Sequence, residues 1–349
     1  MGDGQGLSES RENDGDLDQI RGCGECIYEN RFTMNRLRRT DPCPCGSTKQ
    51  AYKCCMRSSY QLIKSPSSIT PKGAMTNISN DKCLLSLSNN CSHDISREHF
   101  ISKSVLQIYS SNGVTVNTNG ISWTDPNVFT PVSMNSLTVK SLCVRHNNCL
   151  SSLDTSAASF VKAMKEIDDG FNSQSFSFKH LLLSGEDFEK WAIKTIIGLH
   201  ESGNIRLNGI PSKLPQLDLI KSVLSGFSQL PEGLGIYFMP LNVPVGKVIY
   251  HSSSIDFIPA TVVETGDLHS ATILINGIPF RLALTPIKDR IAFGIYHPRY
   301  INFKSLTTSA QALIELCWMD HSNSSVILTR SGSYDGPSPY WPNYPNKPK

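Results

Sequence analysis

The chain is poor in charge and in aromatic side chains, and it has no long apolar run. Asp, Glu, Lys and Arg make up 18% of its 349 residues, and Phe, Trp and Tyr 8%. No stretch approaches the roughly 18 uninterrupted apolar residues of a membrane-spanning helix, so no membrane partner is expected. The opening segment, MGDGQGLSESRENDGDLDQ, lacks the basic start and apolar run of a secretory signal. Gly6 stands where a myristoylation signal requires Ser or Thr. A cytoplasmic protein is expected. The net charge of +3 is too small to indicate a partner by itself. There is no internal repeat. Cysteine is almost missing from the C-terminal half: ten of the eleven precede residue 151, and only Cys317 follows. In a reducing compartment such cysteines point to metal or catalysis rather than disulfides. Metal chemistry is therefore expected to be N-terminal.

At about 100–200 residues per domain, the length suggests two or three units. Residues 1–20 are Gly, Ser, Asp and Glu with little to bury, and read as disordered. Residues 21–62 form a small cysteine-rich unit, and 63–80, rich in Ser, Pro and Asn, read as a linker. Residues 81–168 carry a second set of Cys, His and acidic residues. Residues 169–330 read as an α+β region. Within it, GEDFEKWAIKTIIGLHESG and LPQLDLIKSVLSGF have one-face helical periodicity. From about residue 235 there follow short β-rich runs, with an Asn-Gly turn signal in LINGIPFRL. Residues 331–349 hold five prolines and four aromatics and read as an extended tail. The expected fold class is α+β.

The stretch DPCPCGSTKQAYKCC places Cys43 and Cys45 as one close pair and Cys54 and Cys55 as another. Four thiolates across a short loop suit tetrahedral zinc, and Gly46 permits the sharp turn after the first pair. A unit this small has too little core to fold alone, so the metal would supply its folding free energy. The stretch resembles the SEC-C motif, with its CPCGS context and the lysine before the final pair. That resemblance implies a module that docks a protein partner rather than a catalyst. Between Arg31 and Lys64 there are eight basic residues and one acid, Asp41. This basic stretch suits nucleic-acid phosphate and equally suits a solvated surface. Cys23 and Cys26, in CGEC, have no second half nearby; they are either incidental or a peripheral ligand pair.

Further on, SREHFISKS puts His99 directly after Glu98, and LCVRHNNCLSSLD puts Cys143 and His146 just before Asn147 and Asp154. Cys83 and Cys91 lie upstream. In this order the two segments resemble the HNH endonucleases, in a zinc-stapled version of the ββα-metal fold. The likeness covers about 85 of the 349 residues. It implies His99 as the general base that takes a proton from water. Asn147 then corresponds to the middle asparagine, bracing the loop that orients the base. Glu98 and Asp154 correspond to the acidic ligands of a catalytic Mg²⁺ or Mn²⁺. A structural zinc would take Cys83, Cys91, Cys143 and His146, with His93 and Cys149 as alternative ligands. The sequence departs from the family at several points. Seven residues separate Cys83 from Cys91, Glu replaces the usual Asp before the base, Ser102 stands where Pro is frequent, and Asp154 replaces Asn or His.

Simpler readings stand beside these. Asn147 suits a loop cap, and Asp154 suits a cap at the start of the helix in LDTSAASFVKAMKEI. Lys103 reads as solvent-facing, and Trp191, Trp318 and Cys317 read as core. The segment IYHPRYINF reads as a strand end with partly buried tyrosines. The expected function is metal-dependent hydrolysis of DNA, with RNA as a weaker possibility and a role of the restriction or phage-defence kind implied by the resemblance. The alternative is a non-catalytic zinc adaptor for protein or nucleic acid. Both require about two zinc sites; only the first requires Mg²⁺ or Mn²⁺.

Overall fold

The computed structural model describes residues 37–58, 60–118, 130–173, 178–207, 209–239, 255–287, 293–305 and 308–330. Cys23, Cys26, the segment 1–20 and the tail 331–349 lie outside them. Among the described residues the fold is mixed α+β, with four α-helices and several sheets. None of these helices is long and apolar enough to cross a membrane.

The first cysteine unit has almost no regular structure. Backbone bridges Pro42–Gln50 and Met56–Leu62 close its loops, and a single 3₁₀ turn, Ala51–Lys53, precedes Cys54. The expected linker 63–80 is packed, which corrects that reading. Ser67 donates its N–H and its hydroxyl to Asp187, at 2.8 and 2.7 Å, and Ile69 is buried. Thr76 donates its hydroxyl to the Cys91 carbonyl at 2.7 Å. Its Ser/Pro/Asn composition removes helix and strand but leaves polar side chains that pair locally and across the fold.

Next come β1 (Glu98–His99), α1 (Lys103–Tyr109), β2 (Thr115–Thr118), β3 (Thr130–Ser133) and β4 (Thr138–Val139). β1 pairs antiparallel with β4, His99 opposite Thr138, and β2 pairs with β3 in the excursion between them. The long helix α2 (Val144–Ser173) follows at once. The order is therefore strand, strand, helix, with an insertion after the first strand. α2 begins ten residues before Asp154, so Asp154 does not cap its start; that expectation is corrected. α2 also runs through the expected boundary at 168–169.

After α2 come β5 (Phe178–Ser184), α3 (Gly185–Glu201), β6 (Arg206–Leu207), β7 (Ile210–Pro211) and α4 (Leu217–Leu224). The Ser184 hydroxyl accepts from the Asp187 N–H at 3.1 Å and so caps α3. β8 (Gly235–Phe238), β9 (Ile255–Thr261), β10 (Leu268–Ile275), β11 (Ile278–Ala283) and β12 (Ile295–Tyr296) form an antiparallel sheet in the order β12-β8-β11-β10-β9. Asn276 and Gly277, both at positive φ (50° and 76°), make the tight turn between β10 and β11. β13 (Tyr300–Ser305), β14 (Gln311–Cys317) and β15 (Ser325–Arg330) join β5 in a mixed sheet ordered β15-β13-β14-β5.

One apolar core runs through these parts. Phe160 of α2, Phe188 of α3 and Phe280 of β11 meet with ring centroids 4.5 to 5.4 Å apart. The first cysteine unit is docked on the mixed sheet. Leu182 donates its N–H to the Pro44 carbonyl at 3.0 Å, and Leu182 and Cys317 pack with Cys43, Ala51, Cys55, Met56 and Leu62.

Candidate functional site

Cys43, Cys45, Cys54 and Cys55 bring their sulfurs within 4.8 Å of one another. The turn that does this needs Gly46 at φ 81°, whose N–H bonds the Cys43 carbonyl at 3.2 Å. Cys45 and Cys54 sulfurs are 3.5 Å apart, and those of Cys54 and Cys55 3.7 Å. Sulfurs at bonds of about 2.3 Å around tetrahedral zinc lie about 3.8 Å apart, so this spacing suits that ion. Burial raises the Cys45 thiol, but hydrogen bonds from the Ser47 side chain and backbone outweigh it and bring its pKa down to about 6. Burial pushes Cys55 upward. A metal entering here would therefore displace protons from some thiols and meet others already ionised.

Cys83, Cys91, Cys143 and His146 form the second cluster, with ligand atoms within 4.8 Å and all four residues buried. Nδ1 of His146 lies 3.4, 3.7 and 3.2 Å from the sulfurs of Cys83, Cys91 and Cys143. Its Nε2 meets the Ser88 hydroxyl at 3.0 Å, which fixes the ring with Nδ1 toward the thiols. Backbone N–H groups of Cys143 and Ser92 donate to the sulfurs of Cys83 and Cys143, both at 3.3 Å. Cys83 is raised to about 12 by burial; Cys143 is lowered, because hydrogen bonds from the His146 backbone and from Ser92 outweigh burial. The long spacing between Cys83 and Cys91 is closed by a 3₁₀ turn, Ser86–Ser88, with Asn89 left-handed at φ 48°. The alternatives drop out: His93 is exposed, and the Cys149 thiol donates to the His146 carbonyl at 3.0 Å. The cluster joins the chain before β1 to the start of α2, and so braces the strand that carries His99.

His99 is half-buried, and its Nε2 is buried with no hydrogen-bond partner among the described residues. Burial lowers the His99 pKa, the charges of Lys103 and Lys194 lower it further, and Asp154 opposes them. The balance of these effects favours the neutral imidazole. A cavity of about 10 Å³, room for one water, is lined by Glu98, His99, Phe100, Ser141, Lys194 and Gly198 among others.

The expected catalytic-metal ligands are not assembled. Glu98 is buried with both carboxylate oxygens engaged: Oε1 accepts from the Ser141 N–H (3.0 Å) and hydroxyl (2.5 Å), and Oε2 from the Ser96 hydroxyl (2.9 Å). Asp154 is bound by the Lys194 ammonium, 2.8 Å from Oδ1 and 2.7 Å from Oδ2, and by the Ser102 hydroxyl. Glu98, His99 and Asp154 form no group with metal-ligand spacing among the described residues. This donor set does not fit Mg²⁺ or Mn²⁺, which prefer several free oxygen ligands and retained waters. Asn147 lies seven residues before Asp154 on the same face of α2, with its N–H on the Cys143 carbonyl at 2.9 Å.

Three residues of this site were not singled out in the sequence for it: Lys194, Trp191 and Ser102. Trp191 donates its indole N–H to the Ser102 hydroxyl at 2.8 Å. A signal for Lys194 existed: a lone lysine inside the otherwise uncharged run of α3 from Trp191 to Leu199.

Fold and clusters together define a mixed α+β chain with two Cys/His groups suited to metal ions. Comparison with protein families, with curated proteins and with solved structures finds no match to the chain.

Proposed function

We propose that the chain is a phosphodiester hydrolase of the HNH kind acting on DNA, with two structural zinc ions and His99 as general base. The observation that supports it most is the position of the second cluster. Its ligands flank a strand–strand–helix unit, two before β1 and two at the start of α2, and β1 ends on a histidine whose Nε2 has no hydrogen-bond partner among the described residues. In this reading water gives its proton to His99 Nε2 while its oxygen bonds to phosphorus. The phosphorus–oxygen bond to the leaving group breaks, and the leaving oxygen takes a proton from solvent. Both clusters have four protein ligands and no open position, so zinc is structural. Contact with nucleic-acid phosphate is supported by exposed Arg38, Arg39, Lys49, Lys53 and Arg57 on the first cysteine unit. The docking of a protein partner on that unit is carried by the SEC-C resemblance alone.

The second reading, a non-catalytic zinc adaptor, is favoured by the burial of His99 Nε2, which a scissile phosphate reaches only after local rearrangement. The test is cleavage of supercoiled plasmid and of single-stranded RNA by zinc-loaded protein, with zinc alone and with added Mg²⁺ or Mn²⁺, beside His99→Ala. Cleavage lost in His99→Ala, with zinc content and circular dichroism unchanged, supports the hydrolase. No cleavage of either substrate by folded protein supports the adaptor.

A further inference from the structure

The carboxylate that the HNH resemblance assigns to a metal ion already holds a cation. Lys194 Nζ bridges both oxygens of Asp154, and its side chain is 8% exposed. The pair is held from several sides. Ser102 donates to Asp154 and is itself held by the Trp191 indole. Gly198, four residues beyond Lys194, packs so closely on Phe100 that an added Cβ would meet Phe100 Cα at 2.9 Å. α3 is buried continuously from Trp191 to Leu199. A helix buried all round is a core element, so the ammonium does not leave Asp154 by a lid movement.

An ammonium has three N–H donors. Among the described residues the Lys194 hydrogen bonds go to Asp154 alone, which leaves one donor free. Lys194 lines the same water-sized cavity as His99, whose Nε2 has no hydrogen-bond partner among the described residues. The residue that carries the cation and the one that carries the imidazole thus border one space for a single water.

We infer that Lys194 is the resident cation of the His99 site, held by Asp154 where a divalent metal ion is expected, and that this site works without Mg²⁺ or Mn²⁺. In the hydrolase reading, on which this part rests, the ammonium orients the attacking water and meets the charge on phosphate. The exclusion of metal from Asp154 is independent of whether the chain cleaves anything.

The experiment separates the two. Mn²⁺ binding to the zinc-loaded full chain is followed by electron paramagnetic resonance, for wild type, Asp154→Asn, Lys194→Met, and Lys194→Met combined with Asp154→Asn. The expected result is no Asp154-dependent Mn²⁺ site in wild type and binding at least tenfold tighter in Lys194→Met, lost again in the double variant. A wild-type site abolished by Asp154→Asn overturns the proposal, and so does Lys194→Met binding no tighter than wild type. If Lys194→Met does not fold, wild type decides alone. Selective paramagnetic broadening of the His99 ring signals by Mn²⁺ overturns the proposal, and their persistence supports it. Where cleavage is found, it proceeds with zinc as the only divalent ion; strict dependence on Mg²⁺ overturns the inference while leaving the hydrolase reading intact.

Discussion

His297 lies flat on Trp318, ring planes 3° and centroids 3.9 Å apart, and both its nitrogens face carboxylates. Nδ1 is 2.6 Å from Asp320 and Nε2 2.9 Å from Glu189 of α3. Burial lowers the His297 pKa, but the bonds and charges of Glu189 and then Asp320 outweigh it, and the group titrates above its ordinary 6.5. A raised folded value means that its contribution to stability is fully present below the unfolded value and is lost as pH rises through the folded one. Urea denaturation of wild type and His297→Gln should therefore give a stability difference that shrinks as the pH is raised above the ordinary histidine value of about 6.5. A difference that does not change as the pH rises would show that the ring contributes packing alone.

Arg299 ties the first cysteine unit to the mixed sheet. Its guanidinium meets Glu315 Oε1 at 2.8 Å and donates to the Leu62 carbonyl at 2.9 Å, and both side chains are buried. Removing one partner of a buried pair typically costs about 3–5 kcal/mol, because the other charge is left unpaired. Arg299→Met should lower stability by a similar amount and speed proteolysis at residues 56–64. The double variant with Glu315→Leu should recover part of the loss. No recovery would place the cost in the Leu62 contact or in the loss of the His180 Nε2 contact to Glu315 Oε2 at 3.2 Å.

The two clusters differ in what depends on them. Cys143, Cys83 and Cys91 belong to the main apolar core, whereas Cys43 and Cys55 belong to a small one with Leu182 and Cys317. Structural zinc supplies an apparent 10–16 kcal/mol in finger peptides, roughly the whole stability of a domain. Cys143→Ser should lose one zinc and the main thermal transition together. Cys54→Ser should lose one zinc and keep that transition. Metal analysis beside calorimetry measures both, and equal loss of the transition in the two variants would mean that the small unit is integral to the fold.

The clusters were legible in the sequence because ligand type and close spacing carry the information locally. The β10–β11 turn was legible for the same reason: Asn276 and Gly277 tolerate the positive φ it requires. Other features were hidden. β14 and β5 pair in parallel, and β14 is buried on both faces from Ala312 to Cys317, with Glu315 as its single charge, rather than alternating. The start of α2 was hidden by Cys, His and Asn, weak helix formers that the second cluster holds in place. The ion pair that decides the character of the His99 site joins residues 40 apart on different helices, and no local pattern encodes it.

Gly198 sets how closely α3 approaches His99. An added Cβ would lie 2.7 Å from Phe100 Cβ and 2.9 Å from its Cα, and the backbone there is fixed by the β1–β4 pairing. Helix propensity alone favours Gly198→Ala by about 1 kcal/mol. Overpacking costs roughly 1–3 kcal/mol. Because the clashing atoms are backbone and the root of a buried side chain, the second effect should win, and the variant should be destabilised by up to about 2 kcal/mol. Relief of the clash moves α3 away from Phe100 and opens the cavity beside His99 Nε2. The His99 imidazole should then react faster with an acylating reagent than in wild type, as mass spectrometry of the modified chain would read. A variant more stable than wild type, with His99 as slow to react as before, would mean that the α3 contact yields and does not close the site.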